Sequence, residues 1–190
     1  MKDFLVWSPD RDPRYVRIER APVDPSGKEL ELYTGMPEAP HTEIHVVAER
    51  GREEPDFLHD LGLLLFVSPR AKDLIAGADV PHLQVRPAVL WRKKLGKGDP
   101  LAYFFLNTPL DIPVMDEARS RFVRPGAVFR SIDYFAVDES RLPDEDLFIV
   151  EELTSPAFSE PLVSAIRQAG FTGATFTPLK GCSWPISVST

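Results

Sequence analysis

The chain has a single cysteine, Cys182, and lacks any long hydrophobic run. One cysteine excludes an intramolecular disulfide and a cysteine metal cluster, which fits a reducing compartment. No apolar stretch approaches the roughly 20 residues needed to cross a bilayer. The first residues, MKDFLVWSPD, include the acidic Asp3 and only a short apolar run, so they do not form a signal peptide. We therefore expect a cytoplasmic protein that does not enter a membrane.

An excess of basic residues is also lacking. Lysine and arginine number 22 against 29 acidic residues, which gives a net charge of −7. This balance argues against a general nucleic-acid binder, which needs a positive surface to displace counterions, but it permits a basic protein partner. Proline, in contrast, is abundant: 19 residues lie between apolar runs, as expected for a loop-rich domain. A length of 190 residues fits one domain.

Motifs for metal or cofactor binding are missing as well. The segment HTEIH places His41, Glu43 and His45 on one face of a predicted strand. A strand separates the two histidines by about 13 Å, too far to share one ion. The glycines of LGKGD, residues 95–99, lack the spacing of a phosphate-binding loop. We predict no metal and no cofactor.

Catalytic motifs are equally scarce. His59 and Asp60 are adjacent, but the chain has no G-x-S-x-G turn to present a nucleophilic serine. Lys180 is the only charged residue near Cys182 and no histidine is close to it in sequence, which favours an inert thiol. We therefore predict no catalytic residues and a protein that is not an enzyme.

Two segments of the chain resemble each other. Residues 158–178 repeat the pattern of residues 67–87 at an offset of 91, without a gap. Ser68 and Ser159 stand at N-cap positions, each followed by a proline-containing first turn and by apolar residues at helical spacing. The pattern predicts helices over 69–77 and 160–169, each followed by a strand. The alternative is two unrelated capped helices, since such units are common.

Alternating apolar residues and turn signals predict the strands. The first third is expected to form a small antiparallel sheet, and Asp116–Ser120 a short helix. The predicted strands cover residues 4–7, 15–20, 28–34, 41–48, 83–91, 101–106, 128–137 and 147–153, with a hairpin turn at 95–99. The fold class is α+β: an antiparallel-rich mixed sheet with two main helices in two related helix-strand units. Residues 1–55 are the N-terminal β-rich part of this single domain, and residues 56–190 its α+β remainder.

Charge is distributed unevenly. Between Asp133 and Glu160, nine carboxylates accompany one base, Arg141. Such a run is commonly a solvated face, but it is also suited to docking a basic protein. The candidate partner-binding residues are Asp138, Glu139, Asp144, Glu145 and Asp146. The segment from Arg86 to Lys97 has the opposite sign, with five bases and no acid; it is either a solvated face or a guard on an exposed strand edge.

Several segments together carry a family resemblance. These are FVSPRAKDLI, YFFLNTPLDIPVMDEARS, IDYFAVDESRLPDEDLFIVEE, AFSEPLVSAI and GFTGATFTPLKG. In this order and spacing, residues 57–180 resemble a bacterial immunity-protein family associated with polymorphic and secretion-system toxins. Residues 1–55 show no such resemblance. The family implies a non-enzymatic protein that binds a toxin made by the same cell or delivered by kin, and it supplies no catalytic residues.

We therefore predict an immunity protein that neutralises a cognate antibacterial toxin by occluding it. Its partner is the toxin, possessing a basic surface, rather than a nucleic acid or a membrane. One alternative is a small enzyme or ligand-binding domain whose site is assembled from dispersed residues such as His41, Glu43, His45 and His59. Another is a structural or adaptor domain without inhibitory function. The toxin's activity and the oligomeric state stay open at this stage.

Overall fold

The computed structural model describes residues 2–18, 20–32, 35, 41–58, 64–92, 100–124 and 131–184. Within these ranges the chain has an α+β fold of two α-helices and mostly strands, which confirms the predicted class. The helices are α1 (Pro69–Ala76) and α2 (Glu160–Gln168), and a 3-10 helix covers Glu139–Arg141. The strands are β1 (Phe4–Pro9), β2 (Arg17–Ile18), β3 (Ile44–Arg50), β4 (Phe57–Leu58), β5 (Leu65–Val67), β6 (Gln84–Arg92), β7 (Leu101–Asn107), β8 (Asp111–Ile112), β9 (Arg121–Val123), β10 (Ser131–Tyr134), β11 (Leu147–Val150), β12 (Ser155–Ser159) and β13 (Ala174–Pro178).

The strands form two main sheets instead of the single sheet expected from the sequence. The first sheet has the order β2-β3-β6-β7-β5-β4, and the second has the order β13-β1-β12-β11-β8. Both are mixed, because β3 is parallel to β6 and β8 is parallel to β11, whereas the other neighbours are antiparallel. A separate two-stranded ribbon pairs β9 with β10.

Both helices begin where their caps predict. The Ser68 hydroxyl accepts a hydrogen bond from the backbone N–H of Ala71, and the Ser159 hydroxyl accepts one from that of Leu162. Such side-chain acceptors satisfy N–H groups that have no partner inside the helix. The predicted ends at 77 and 169 are the C-cap positions, one residue beyond the last helical residue. Ile75 and Ile166 are buried from the two helices in one shared core.

The N-terminal strand lies in the second sheet, between β12 and β13. The expected small antiparallel sheet in the first third is therefore wrong. Strand β1 contributes Leu5 and Trp7 to the core under the helices, and Phe4 and Val6 to the core on the opposite face of the sheet. Successive residues of a strand point to opposite faces of the sheet. A strand with apolar residues at every position therefore suits a sheet that is buried on both sides.

Several finer predictions fail for local reasons. Asp116–Ser120 forms a hydrogen-bonded turn and not a helix. The Asp116 carboxylate accepts a hydrogen bond from the backbone N–H of Arg119, and the Ser120 hydroxyl accepts one from the backbone N–H of Ala136. Among the described residues of the predicted strand 15–20, only Arg17–Ile18 is a strand, and Tyr15 makes an isolated bridge with Glu53. In the described part of 28–34, Glu29 makes only an isolated bridge with Val23.

Strand β12 was not predicted, because Pro156 interrupts its apolar pattern. The predicted strand 128–137 is observed over Ser131–Tyr134, and residues 125–130 lie outside the described residues. Strands β6 and β7 pair as antiparallel neighbours, as the predicted hairpin requires, although its turn also lies outside the described residues.

The basic segment lies on an inner strand in its described part. Strand β6 pairs with β7 from Gln84 to Leu90 and with β3 from Ala88 to Arg92, so Arg92 does not guard a sheet edge, whereas Arg86 precedes the pairing with β3. The lysines at 93, 94 and 97 lie outside the described residues. Among the described helices, none is long and apolar enough to cross a membrane.

Candidate functional site

The start of each helix is hydrogen-bonded to an aspartate that comes earlier in the chain. This aspartate lies just before the β-hairpin that leads into the helix. For α1 this residue is Asp56, which lies immediately before β4 and is buried. Its carboxylate accepts hydrogen bonds from the Ser68 hydroxyl at 2.7 Å and from two guanidinium nitrogens of Arg70, each at 2.7 Å. It also accepts the backbone N–H of Thr172 at 3.0 Å, in the loop that follows α2. Asp56 thus joins the start of one helix to the end of the other.

The loop after α2 approaches this aspartate very closely. The Phe57 N–H donates to the Thr172 carbonyl at 3.0 Å. At Gly173 the backbone has φ +87°, and an added Cβ would lie 2.2 Å from the Phe57 carbonyl oxygen. Because neither the conformation nor the space admits a side chain, glycine is required here. We refer to Asp56, Ser68, Arg70 and Thr172 as the Asp56 network.

Asp146 has the equivalent position for α2, immediately before β11. Its carboxylate accepts the Ser159 hydroxyl at 2.7 Å, the Lys2 ammonium at 2.9 Å and the backbone N–H of Asp79, after α1, at 3.1 Å. Burial raises the pKa of Asp146, but the hydrogen bonds outweigh it, and the pKa lies below its usual value. We refer to Asp146, Ser159, Lys2 and Asp79 as the Asp146 network. Because its carboxylate accepts hydrogen bonds from three parts of the chain, Asp146 stabilises the fold.

The remaining predicted partner-binding residues lie on or beside the 3-10 helix. Asp138 caps this helix through hydrogen bonds from the Ser140 backbone and hydroxyl, which lower its pKa. It also forms an ion pair with Arg141 at 3.0 Å. Glu139 is exposed and forms an ion pair with Lys180 at 3.3 Å. The carboxylates at 138 and 139 are therefore held in place at the surface.

Asp144 and Glu145 lie in the connection from the 3-10 helix to β11. Asp144 is exposed and Glu145 is half-buried. The Asp144 backbone carbonyl accepts a hydrogen bond from Lys2, but neither carboxylate has a hydrogen bond or ion pair with the described residues. Of the five predicted residues, these two are the most available to a partner.

A cleft of about 440 Å³ opens next to this segment. Its walls come from the start of β1, the start of α2, the 3-10 helix and the end of β13. Its buried lining residues, which we call the floor, are apolar, and its charged lining residues, which we call the rim, are Asp3, Glu139, Glu160, Lys2 and Lys180. A second cleft of about 440 Å³, on the other side of the 3-10 helix, is lined in part by Asp116, Glu117, Asp138 and Glu152.

We call these groups together the acidic face. It consists of the 3-10 helix with the following connection and the rims of the two clefts; its carboxylates are Asp3, Asp116, Glu117, Asp138, Glu139, Asp144, Glu145, Glu152 and Glu160. Sequence reasoning found its centre from the charge imbalance. It missed Asp3, because that residue reaches the face only through the pairing of β1 with β12.

The residues considered for catalysis or metal binding are dispersed or engaged elsewhere. His45 forms an ion pair with Glu43, with its Nε2 at 2.6 Å from the carboxylate, and His41 lies near Arg86. His59 lies outside the described residues. Burial raises the pKa of Cys182 to about 11, which keeps its thiol protonated near neutral pH. No group of three potential metal ligands occurs in the part of the chain that the structure describes.

The fold and the acidic face can now be compared with known proteins. A family model of immunity proteins matches residues 8–181. No curated protein matches the sequence. Because the match covers most of the chain, this protein belongs to the Imm11 immunity protein family. The match begins far ahead of Phe57, so it includes most of the N-terminal segment for which the sequence alone showed no resemblance. Family membership indicates a role in toxin immunity.

Proposed function

We propose that this protein neutralises a cognate antibacterial toxin by binding it with the acidic face and occluding a basic surface of the toxin. Family membership supports a role in toxin immunity. The acidic face supports the choice of surface, because the carboxylates of Asp144 and Glu145 form no hydrogen bond or ion pair with the described residues. Negative potential on such a face accelerates encounter with a basic partner and disfavours acidic ones.

Occlusion is the mechanism favoured by this arrangement. Several carboxylates of the acidic face are held in place: Asp138 by Ser140 and Arg141, Glu139 by Lys180, and Glu152 by the backbone N–H of Met115. A surface fixed before binding loses little side-chain entropy on association. Toxins that act on polyanions need basic clefts, which an acidic surface would cover. In this proposal the protein acts stoichiometrically, without catalysis, in the cytoplasm of a cell that takes part in bacterial competition through secreted effectors.

The internal resemblance belongs to the same proposal. In each half a hairpin, a helix and a strand follow one aspartate, and the two flanking strands are both antiparallel to one intervening strand, β7 in the first sheet and β1 in the second. We infer from this shared topology that the two helix-strand units are related. The second unit then displays the acidic face, and the first unit supports it through the Asp56 and Asp146 networks.

Charge reversal at Asp144 and Glu145 tests the binding surface. The double variant Asp144→Lys/Glu145→Lys leaves Asp146 intact, so the network that caps α2 is preserved. The matched control is Glu29→Lys/Glu31→Lys, which changes the charge equally at exposed positions beside Leu30, on the first sheet. The toxin is first isolated by affinity capture with a tagged form of this protein. The binding of each variant to that toxin is then measured by surface plasmon resonance at two salt concentrations.

We expect the test variant to bind about tenfold more weakly or worse, mainly through slower association, and the control to bind nearly as the parent does. In co-expression, the parent should protect cells from the toxin only at stoichiometric levels. Equal binding by the test variant and the parent would refute the acidic face as the interface. Protection at trace levels would refute occlusion and favour an enzymatic role.

A further inference from the structure

The cleft beside the 3-10 helix has a specific chemistry at the centre of the acidic face. Its floor is formed by apolar side chains, and at its rim three carboxylates outnumber two ammonium groups, as in a recess for a long side chain with a cationic end. We propose that it binds one arginine side chain of the toxin. This inference rests on the proposed function and specifies the residue type that the acidic face recognises.

The charges on the rim favour a cation. The Lys2 ammonium is engaged by Asp146, and that of Lys180 by Glu139. The Asp3 carboxylate has no hydrogen bond or ion pair with the described residues. The Glu160 carboxylate accepts only the Ser164 hydroxyl among them. Each lysine is therefore paired within the fold, and at the rim the exposed carboxylates of Asp3 and Glu160 form no ion pair with the described residues.

The backbones that carry these two carboxylates lie close together. The N–H of Glu160 donates to the carbonyl of Asp3 at 2.8 Å, where β1 meets the first turn of α2. Glu160 also offsets the partial positive charge at the N-terminus of that helix. An incoming cation thus meets negative side chains, fixed on two secondary-structure elements, and not an uncompensated helix end.

The floor suits the aliphatic part of an arginine side chain. Phe4 and Leu179 are buried in the core and contribute to the cleft wall, and Leu142 is half-buried beside them. The three methylene groups of arginine can cover this apolar surface while the guanidinium reaches the rim. A guanidinium presents five N–H donors in a plane, which allows it to bond two carboxylates at once and to stack on apolar groups. A lysine ammonium is more strongly hydrated and fits such a floor less well.

The test uses a small probe and the full chain, so it does not depend on the toxin. The ¹⁵N-labelled protein is titrated with N-acetyl-arginine methylamide, and separately with N-acetyl-citrulline methylamide, which has the same shape without the charge. We expect saturable shifts of the amide signals around Asp3, Leu142 and Leu179 with the arginine probe, at millimolar affinity, and much smaller shifts with citrulline.

Two variants locate the site. Asp3→Asn/Glu160→Gln should weaken probe binding about tenfold, whereas the control Asp133→Asn/Glu151→Gln, which removes the same charge outside the cleft, should not. Unchanged amide spectra away from the substitutions show that the variants are folded. Equal shifts from both probes, shifts outside the cleft, or equal effects of the two variants would overturn the inference. Failure here together with weakened toxin binding by Asp144→Lys/Glu145→Lys would leave the proposed function standing.

Discussion

Replacing Asp56 with alanine should destabilise the protein by about 3 kcal/mol. The substitution removes an acceptor that the Ser68 hydroxyl and the Thr172 N–H use inside the protein. Hydrogen bonds to a charged group contribute about 1.5–3 kcal/mol each, and donors left without a partner carry the full cost of their desolvation. Arg70 adds little to this figure, because its side chain is 58% exposed and water can replace the lost carboxylate.

Asp12→Ala is the matched control. Asp12 also binds an arginine through two guanidinium nitrogens and also accepts a backbone N–H, but both come from Arg14, only two residues away at the surface. We expect its effect to stay within about 0.5 kcal/mol, as is usual for surface positions.

Urea or guanidinium unfolding measures both free energies, and thermal unfolding should show a fall in Tm of about 6–12 °C for Asp56→Ala. The two aspartates have similar local chemistry, so the comparison isolates burial and the long-range connection. A loss below about 1 kcal/mol for Asp56→Ala, or equal losses for the two variants, would refute the assigned role of the Asp56 network.

Two further predictions concern titration and reactivity. Hydrogen bonds hold the pKa values of Asp56 and Asp146 below their usual range, despite the opposing effect of burial. The two carboxylates therefore stabilise the folded protein fully above the unfolded pKa of about 3.9. This stabilisation is lost as pH falls through the lower pKa values of the folded state. The free energy of unfolding, measured between pH 6 and pH 3 in steps of ~1 unit, should therefore decrease as the pH falls. The decrease should be less steep for Asp146→Asn, and an equal slope in this variant would contradict the role of the lowered Asp146 pKa. Cys182, whose pKa is raised to about 11, should react with Ellman's reagent at pH ~8 at least about 100-fold more slowly in the folded protein than in denaturant, and equal rates would show that the thiol is accessible.

The sequence predicted the helices well because their signals are local. Ser68 and Ser159 cap the N–H groups of residues only three positions away, so spacing alone located both helix starts. Strand partners are chosen by residues far apart in the chain, and here the predictions failed. Nothing in FLVWSP indicates that β1 pairs with segments about 150 residues later, and an apolar run fits either sheet.

In the candidate site, too, local features were predicted from the sequence and long-range contacts were not. The charge imbalance located the acidic run, but it could not separate carboxylates that stabilise the fold from those that face solvent. Asp146 and Asp144 are two residues apart, yet one accepts three hydrogen bonds within the fold and the other projects outward. That difference arises from Lys2, Asp79 and Ser159, which only the folded chain brings to Asp146.

The position of β1 between β12 and β13 in the second sheet has a consequence for how the protein is made. Residues 2–5 form one wall of the cleft, and residues 178–180 form another, so the recess is assembled from the beginning and the far end of the described chain. During synthesis β1 leaves the ribosome long before β12 and β13, its neighbours in the sheet, are translated. A product that stops before residue 178 lacks one wall of the cleft, so the cleft forms only after translation has passed residue 180.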